Sequence, residues 1–306
     1  LQTIVETLDK AHRQEDATNL LRTESVSIGE HQTLVDRLIE FGFLDEAEKI
    51  ASEQRQIKFE EIRYGATRCD PWPDYLKKIA DKKQDWATKA SIEAAEIFEY
   101  PTNKKILALL LTAEKMKVES AVRCSLEIFL QTGKFPAAVQ KCLENVKPTE
   151  KDCNVWPIPF FVFQPNNQEM CPRFDVLCEW AISENRPNDV VHWFDEFSKQ
   201  NPKTRVQGKG IGRENVADAI INSHPERAFR FYLDLAEHEM ETTRNYPSAI
   251  QLLRKARKTF ENLGRIADWS KVMMEIRATH RRKPSLMKLL DELEAGSIVN
   301  QKRKEK

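Results

Sequence analysis

Glycine is scarce in this chain, at nine in 306 residues, and tyrosine is scarcer, at five. Tight hairpin turns draw on glycine and pleated sheets on aromatic side chains, so a β-rich fold has little raw material here. Long apolar runs are missing too. The longest, Ile106–Leu111, sits among Lys104, Lys105 and Glu114, where a membrane-crossing helix needs roughly 20 apolar residues; it reads as a core helix, and no membrane association is expected. The six cysteines, Cys69, Cys124, Cys142, Cys153, Cys171 and Cys178, include no Cys-x-x-Cys and are expected to be reduced, mostly buried thiols. Also absent are His-Glu-x-x-His, Gly-x-Ser-x-Gly and any cluster of Cys and His at zinc-ligand spacing. With no catalytic signature, a non-catalytic protein is expected. No secretory leader opens the chain, so a cytoplasmic location is expected. The first residue is Leu1 rather than methionine, as expected of a segment of something longer.

What is present is charge and helical period. Charged residues make up 31% of the chain and hydrophobic ones 41%, the balance of helices with one apolar stripe and a wide solvated remainder. Total charge is zero, but from Arg244 onward sixteen Lys/Arg meet seven Asp/Glu, an excess of +9 that the preceding residues offset. Such an end can steer an acidic partner or nucleic acid.

Apolar residues recur at helical spacing. Leu1, Ile4, Val5 and Leu8 form one stripe; Leu34, Val35, Leu38 and Ile39 form another. Gly42 closes the latter helix, and Leu44, Ala47, Ile50 and Ala51 begin its return partner, so the break is a helical hairpin. The same offset of five residues, from a small or turn-prone residue to the return helix's packing face, joins Gly42 to Ala47, Asp81 to Trp86, Gly133 to Ala138, Asn185 to Val190, Ser223 to Ala228 and Gly264 to Trp269. This pattern resembles the tetratricopeptide class, with Pro101, Pro148 and Pro202 suited to the starts of new pairs. The turn intervals of 39, 52, 52, 38 and 41 residues depart from that class's repeat of about 34. The fold expected is all-α, an irregular tetratricopeptide-like solenoid of antiparallel helix hairpins. Residues 1–147 and 173–306 form its two halves, the second with the basic end. Between them, 148–172 is rich in proline and has no helical period, and it carries Trp156, Phe160, Phe161 and Phe163. It reads as an irregular connector packed on its own protein.

Several constellations resemble chemical sites, each with a plainer reading. The run Gly208-Lys209-Gly210-Ile211-Gly212-Arg213 precedes a helical pattern and could cradle a phosphate, but it matches no nucleotide-binding spacing and reads as a connector. Asp9/His12 and Asp189/His192 have the spacing of metal-binding helix pairs, but surface ion pairing is the default. Asp234, Glu237, His238 and Glu241 read as a solvated face. Glu93, Glu96 and Glu99 line a helix opposite Ala90, Ala94, Ile97 and Phe98; acid–base work would need an opposing group, and solvation is the expected role. The best candidate partner-binding set is Arg254, Lys255, Arg257, Lys258, Arg277, His280, Arg281, Arg282 and Lys283, although cations at helix C-termini also complement the helix dipole.

The stretch containing Gly264, Trp269, Arg277, His280, Arg281 and Lys283, followed by Leu286 and Leu290, resembles the C-terminal helical region of bacterial SWIM-type zinc-finger proteins over about fifty residues; the hairpin at Leu34–Ala51 matches more loosely. In that family a Cys-x-Cys…Cys-x-His zinc module that engages DNA or proteins precedes the helices. This chain has no such motif. The resemblance therefore implies no cofactor in this chain and places zinc in an upstream segment. The expected function is a scaffold for an unidentified protein partner; the alternative is a nucleic-acid-associated accessory domain using the basic end.

Overall fold

The computed structural model describes residues 1–63, 70–163, 172–200 and 211–304, without the side chains of Gln2, Val26, Ile28, 61–63 and 295–304. Every regular element among them is a helix. The chain divides into two compact units, Leu1–Met170 and Cys171–Lys306. No helix among the described residues is long and apolar enough to cross a membrane.

The first unit opens with α1 (Gln2–Lys10), α2 (Gln14–Ile28), α3 (His31–Glu40) and α4 (Leu44–Arg63). The stripe of α3 is buried as its spacing requires, with Leu34, Val35, Leu38 and Ile39 facing Ala47 and Ala51 of α4 and Leu21 of α2 in one core. Val5 of α1 joins it, whereas Ile4, on the expected stripe, stays 56% exposed. Next come α5 (Trp72–Lys83), α6 (Trp86–Glu99), α7 (Asn103–Lys115), α8 (Glu119–Thr132), α9 (Ala137–Leu143) and α10 (Glu150–Val155). Each of α5 to α8 packs against the helix before it, and α10 packs against both α9 and α8.

The segment expected to be irregular begins with that last helix. Six residues are too few to show a 3.6-residue period, but Thr149 and Asp152 form a capping box in which each side chain takes the other's backbone N–H. Beyond α10, Trp156 and Phe163 are buried, and Phe160 and Phe161 partly so. The ring of Phe98 in α6 lies 5.4 Å from Trp156 and 5.6 Å from Phe163, and Phe129 and Phe135 complete the cluster. Arg55 of α4 lies 3.9 Å over Phe161 and donates to the Val162 carbonyl at 2.5 Å. These aromatics therefore pack within the first unit.

The second unit holds α11 (Phe174–Ser183), α12 (Pro187–Gln200), α13 (Arg213–Ile220), α14 (Pro225–His238), α15 (Tyr246–Asn262), α16 (Ile266–His280) and α17 (Pro284–Lys304). A π-helical turn, Glu239–Thr243, extends α14. One core runs through the unit, with Phe229 of α14 against Phe260 of α15 at 4.3 Å and Phe260 against Trp269 of α16 at 5.9 Å. In this unit too, the substantial contacts join helices that are consecutive or next but one in the chain.

Chain reversal relies on single left-handed residues. Gly42 (φ 81°), Gly133 (φ 73°), Gly264 (φ 69°) and Asn185 (φ 53°) stand where the repeated offset expects them. Two turns differ. Asp81 lies inside α5 and pairs with Lys89, while Gln84 takes the left-handed position and Asp85 caps α6 through the Thr88 amide. Ser223 ends a turn without positive φ, its amide bonding the Ile220 carbonyl. Pro101 separates α6 from α7 and Pro148 precedes α10, but Pro202 lies outside the described residues.

A Cβ at Gly264 would meet no atom within 4 Å, so only backbone conformation demands glycine there. Gly264→Ala is expected to destabilise the second unit by about 1–2 kcal/mol and Gly264→Asn by less. Urea unfolding of the full chain followed by circular dichroism checks this; an unchanged midpoint for the alanine variant would refute it.

Candidate functional site

The basic set of the second unit separates into structural and free cations. On α15, Lys255 is held by Glu214 at 2.8 Å and Asp218 at 2.7 Å, both on α13. Asp218 also accepts from the buried Tyr232 hydroxyl of α14 at 2.5 Å, so three helices meet at one carboxylate. Burial works against the Lys255 charge, but these two acids raise its pKa overall. Arg257 bonds Glu261 at 2.8 Å and the Leu293 carbonyl of α17 at 3.0 Å. On α16, Arg277 reaches Asp291 at 2.7 Å and Glu294 at 2.8 Å, both on α17. Lys283 donates to the Met240 carbonyl at 2.8 Å, tying the α16–α17 turn to the π-helical turn. His280 is buried at 4% exposure. Burial first, then Lys283, pushes its pKa down against the pull of Glu241 and Glu237, which disfavours the charged imidazolium.

Four members of the set remain: Arg254, Lys258, Arg281 and Arg282. All are exposed, and none has a hydrogen bond or ion pair among the described residues. Arg254 and Lys258 share one face of α15 by their i, i+4 spacing. Arg281 and Arg282 follow the last residue of α16 and line a surface hollow of about 390 Å³ with His280 and Lys283. A second hollow of about 340 Å³ shares Arg282 and Lys283 and adds Glu241, Arg244, Tyr246 and Ser285. Arg244 is also exposed and unpaired among the described residues, in a left-handed conformation (φ 56°) after the π-helical turn. Sequence reasoning missed it as a site residue, because its turn meets the α16–α17 junction only in the tertiary fold, where Lys283 bonds the Met240 carbonyl.

The other candidates resolve differently. Asp9 does not share a helix face with His12, which is the left-handed residue after α1. Instead Asp9 takes a forked pair from Arg37 of α3, and that hydrogen bonding holds its carboxyl below the usual range. Asp189 pairs with Arg186, and the exposed His192 leans on Trp193 at 4.4 Å. Asp234, Glu237 and Glu241 are exposed and His238 half-buried. Gly208, Lys209 and Gly210 lie outside the described residues; Gly212 precedes α13. Cys124 and Cys153 are exposed and Cys142 partly so, against the expectation of burial, while Cys178 is buried and its thiol pushed up to about 12, chiefly by burial. Cys69 and Cys171 lie outside the described residues. No group of three or more His, Cys, Asp or Glu among the described residues is placed to hold a metal ion.

The glutamate stripe of α6 is not a solvated face. Glu93 is 7% exposed, because α6 is covered on nearly every side from Ala90 to Ala95. Its Oε2 has no hydrogen-bond partner. Burial raises its pKa, against the Thr112 hydroxyl of α7 and the ammonium groups of Lys89 and Lys77. Glu96 pairs with Lys77 at 2.6 Å. The folded protein thus favours protonated Glu93 more than the unfolded chain does. That contribution is complete below the ordinary carboxylate range and is lost as pH rises through the raised value. Glu93→Gln is expected to match the parent near about pH 4 and to exceed its urea midpoint near about pH 7.5. A variant weaker than the parent at the higher pH would show that ionised Glu93 is a net stabiliser.

No protein-family model, curated protein or solved structure matches this chain.

Proposed function

We propose that the chain is a non-catalytic helical-repeat scaffold, each unit an irregular tetratricopeptide-like row of helix hairpins, that binds a protein partner. One observation carries this reading: the substantial helix contacts join elements that are consecutive or next but one in the chain. Rows built that way keep extended lateral surfaces, which repeat proteins use for binding. The unpaired cations Arg254, Lys258, Arg281 and Arg282 supply charge for recognising an acidic surface. Placement beside the helical region of SWIM-type zinc-finger proteins belongs to the same proposal and rests on the residues around Gly264–Leu290.

A second reading, an accessory domain that contacts nucleic acid, draws on those same cations. Phosphate contacts would give affinity that falls steeply with salt. Affinity purification of the full chain from cells expressing it tests both. Scaffolding predicts a protein partner retained after nuclease treatment and lost from the Arg281→Glu/Arg282→Glu chain. Retained material that nuclease removes, with salt-dependent binding of a purified oligonucleotide, would replace the scaffold with the second reading.

A further inference from the structure

Arg281 and Arg282 come from the end of α16, and Arg244 comes from the residue after the π-helical turn. The hollow lined by Arg244, Arg282 and Lys283 adjoins the one lined by Arg281 and Arg282. Lys283 fixes the two segments together through the Met240 carbonyl. Elsewhere in this unit most cations are already spent on carboxylates of a neighbouring helix or the same one, as at Arg227–Asp195, Lys255–Asp218, Arg265–Glu226 and Arg277–Asp291. Here Arg281 and Arg282 share one hollow and Arg282 and Arg244 the adjoining one, and none of the three side chains has a partner among the described residues.

The surroundings say which kind of anion. Asp234, Glu237 and Glu241 are exposed on α14 and its extension, and Glu241 lines the same hollow as Arg244 and Arg282. A nucleic-acid backbone carries a charge at every step and would run into this acidic face. Among the lining residues only Tyr246 and the buried His280 offer rings for base stacking. A compact anion seated at the arginines meets one acid, Glu241, rather than the whole face. A lone carboxylate would neutralise one guanidinium of three. A phosphate monoester carries nearly two charges at neutral pH and three acceptor oxygens, which suits several forked donors.

We propose that this notch, formed by Arg244, Arg281 and Arg282 with Ser285 and Tyr246 at its edge, binds a single phosphorylated side chain of a partner protein. The proposal rests on the scaffold reading and names the chemistry that the scaffold recognises.

Fluorescence anisotropy on the full chain tests it, with a short labelled peptide carrying one phosphoserine, its unphosphorylated twin, and single-stranded and duplex oligonucleotides as probes. The phosphopeptide should bind at least about tenfold more tightly than its twin. That preference should be lost in Arg281→Glu/Arg282→Glu and, independently, in Arg244→Gln, and kept in Arg254→Glu/Lys258→Glu. Inorganic phosphate should compete. Equal binding of the two peptides, or none of either, overturns the site. Oligonucleotide binding tighter than the phosphopeptide's, and weakened alike by the notch and α15 variants, overturns it in favour of an extended polyanion. If a protein partner still co-purifies while the phosphopeptide fails, the notch proposal falls and the scaffold reading stands.

Discussion

Burial of each helix's apolar stripe against its neighbour in the chain is the condition on which everything else rests. An isolated helix shorter than about 12–15 residues is marginal in water, and α9, α10 and α13 have seven, six and eight residues. They persist because Val139, the Trp156 that follows α10, and Ile220 are buried. Removing a core residue such as Leu38 would therefore cost about 2–5 kcal/mol and would also free the helices that it holds in place. Local pairing further explains how so much charge is tolerated. A helix that buries one stripe leaves the rest of its circumference to solvent.

That outer surface is not uniformly solvated charge. Arg22–Glu46 joins α2 to α4, Lys77–Glu96 joins α5 to α6, and Lys83 reaches Asp45 and Glu48 from α5 to α4. Half-exposed pairs of this kind contribute modestly, typically about 0.2–1 kcal/mol each. Their larger consequence is subtraction. Each pair removes a cation from the pool that could meet a ligand, so a regional charge excess overstates the available positive surface. The excess after Arg244 contains Lys255, Arg257, Arg277 and Lys283, all of which hold helices together.

The same distinction explains how far the sequence could be read. Helical class was legible because stripes such as Leu34–Ile39 repeat at one period, and most turns because glycine or asparagine marks a left-handed residue. Gln84 was not legible: a glutamine can adopt that conformation when Asp85 caps the following helix, and nothing in its side chain announces it. Glu93 was misread for a related reason. Its spacing with Glu96 and Glu99 suggests a polar face, but α6 is enclosed by its neighbours, and enclosure is a tertiary property. The division of the basic cluster was equally hidden, since it depends on carboxylates of other helices, α13 and α17.

Helix geometry then shows why structural and free cations alternate so closely. On α15, Lys255 turns toward α13 and Arg257 toward α17, while Arg254 and Lys258 share an open face. Neighbouring residues on a helix point about 100° apart, so a short basic run must serve different surroundings. At the end of α16 the helix stops, and Arg281 and Arg282 leave it together while Lys283 turns back to the Met240 carbonyl. One cation is spent fixing the junction, and that junction holds the preceding Arg282 beside Arg244. On the proposed function, fold and recognition divide a single run of charge between them, and the helix ending decides where the division falls.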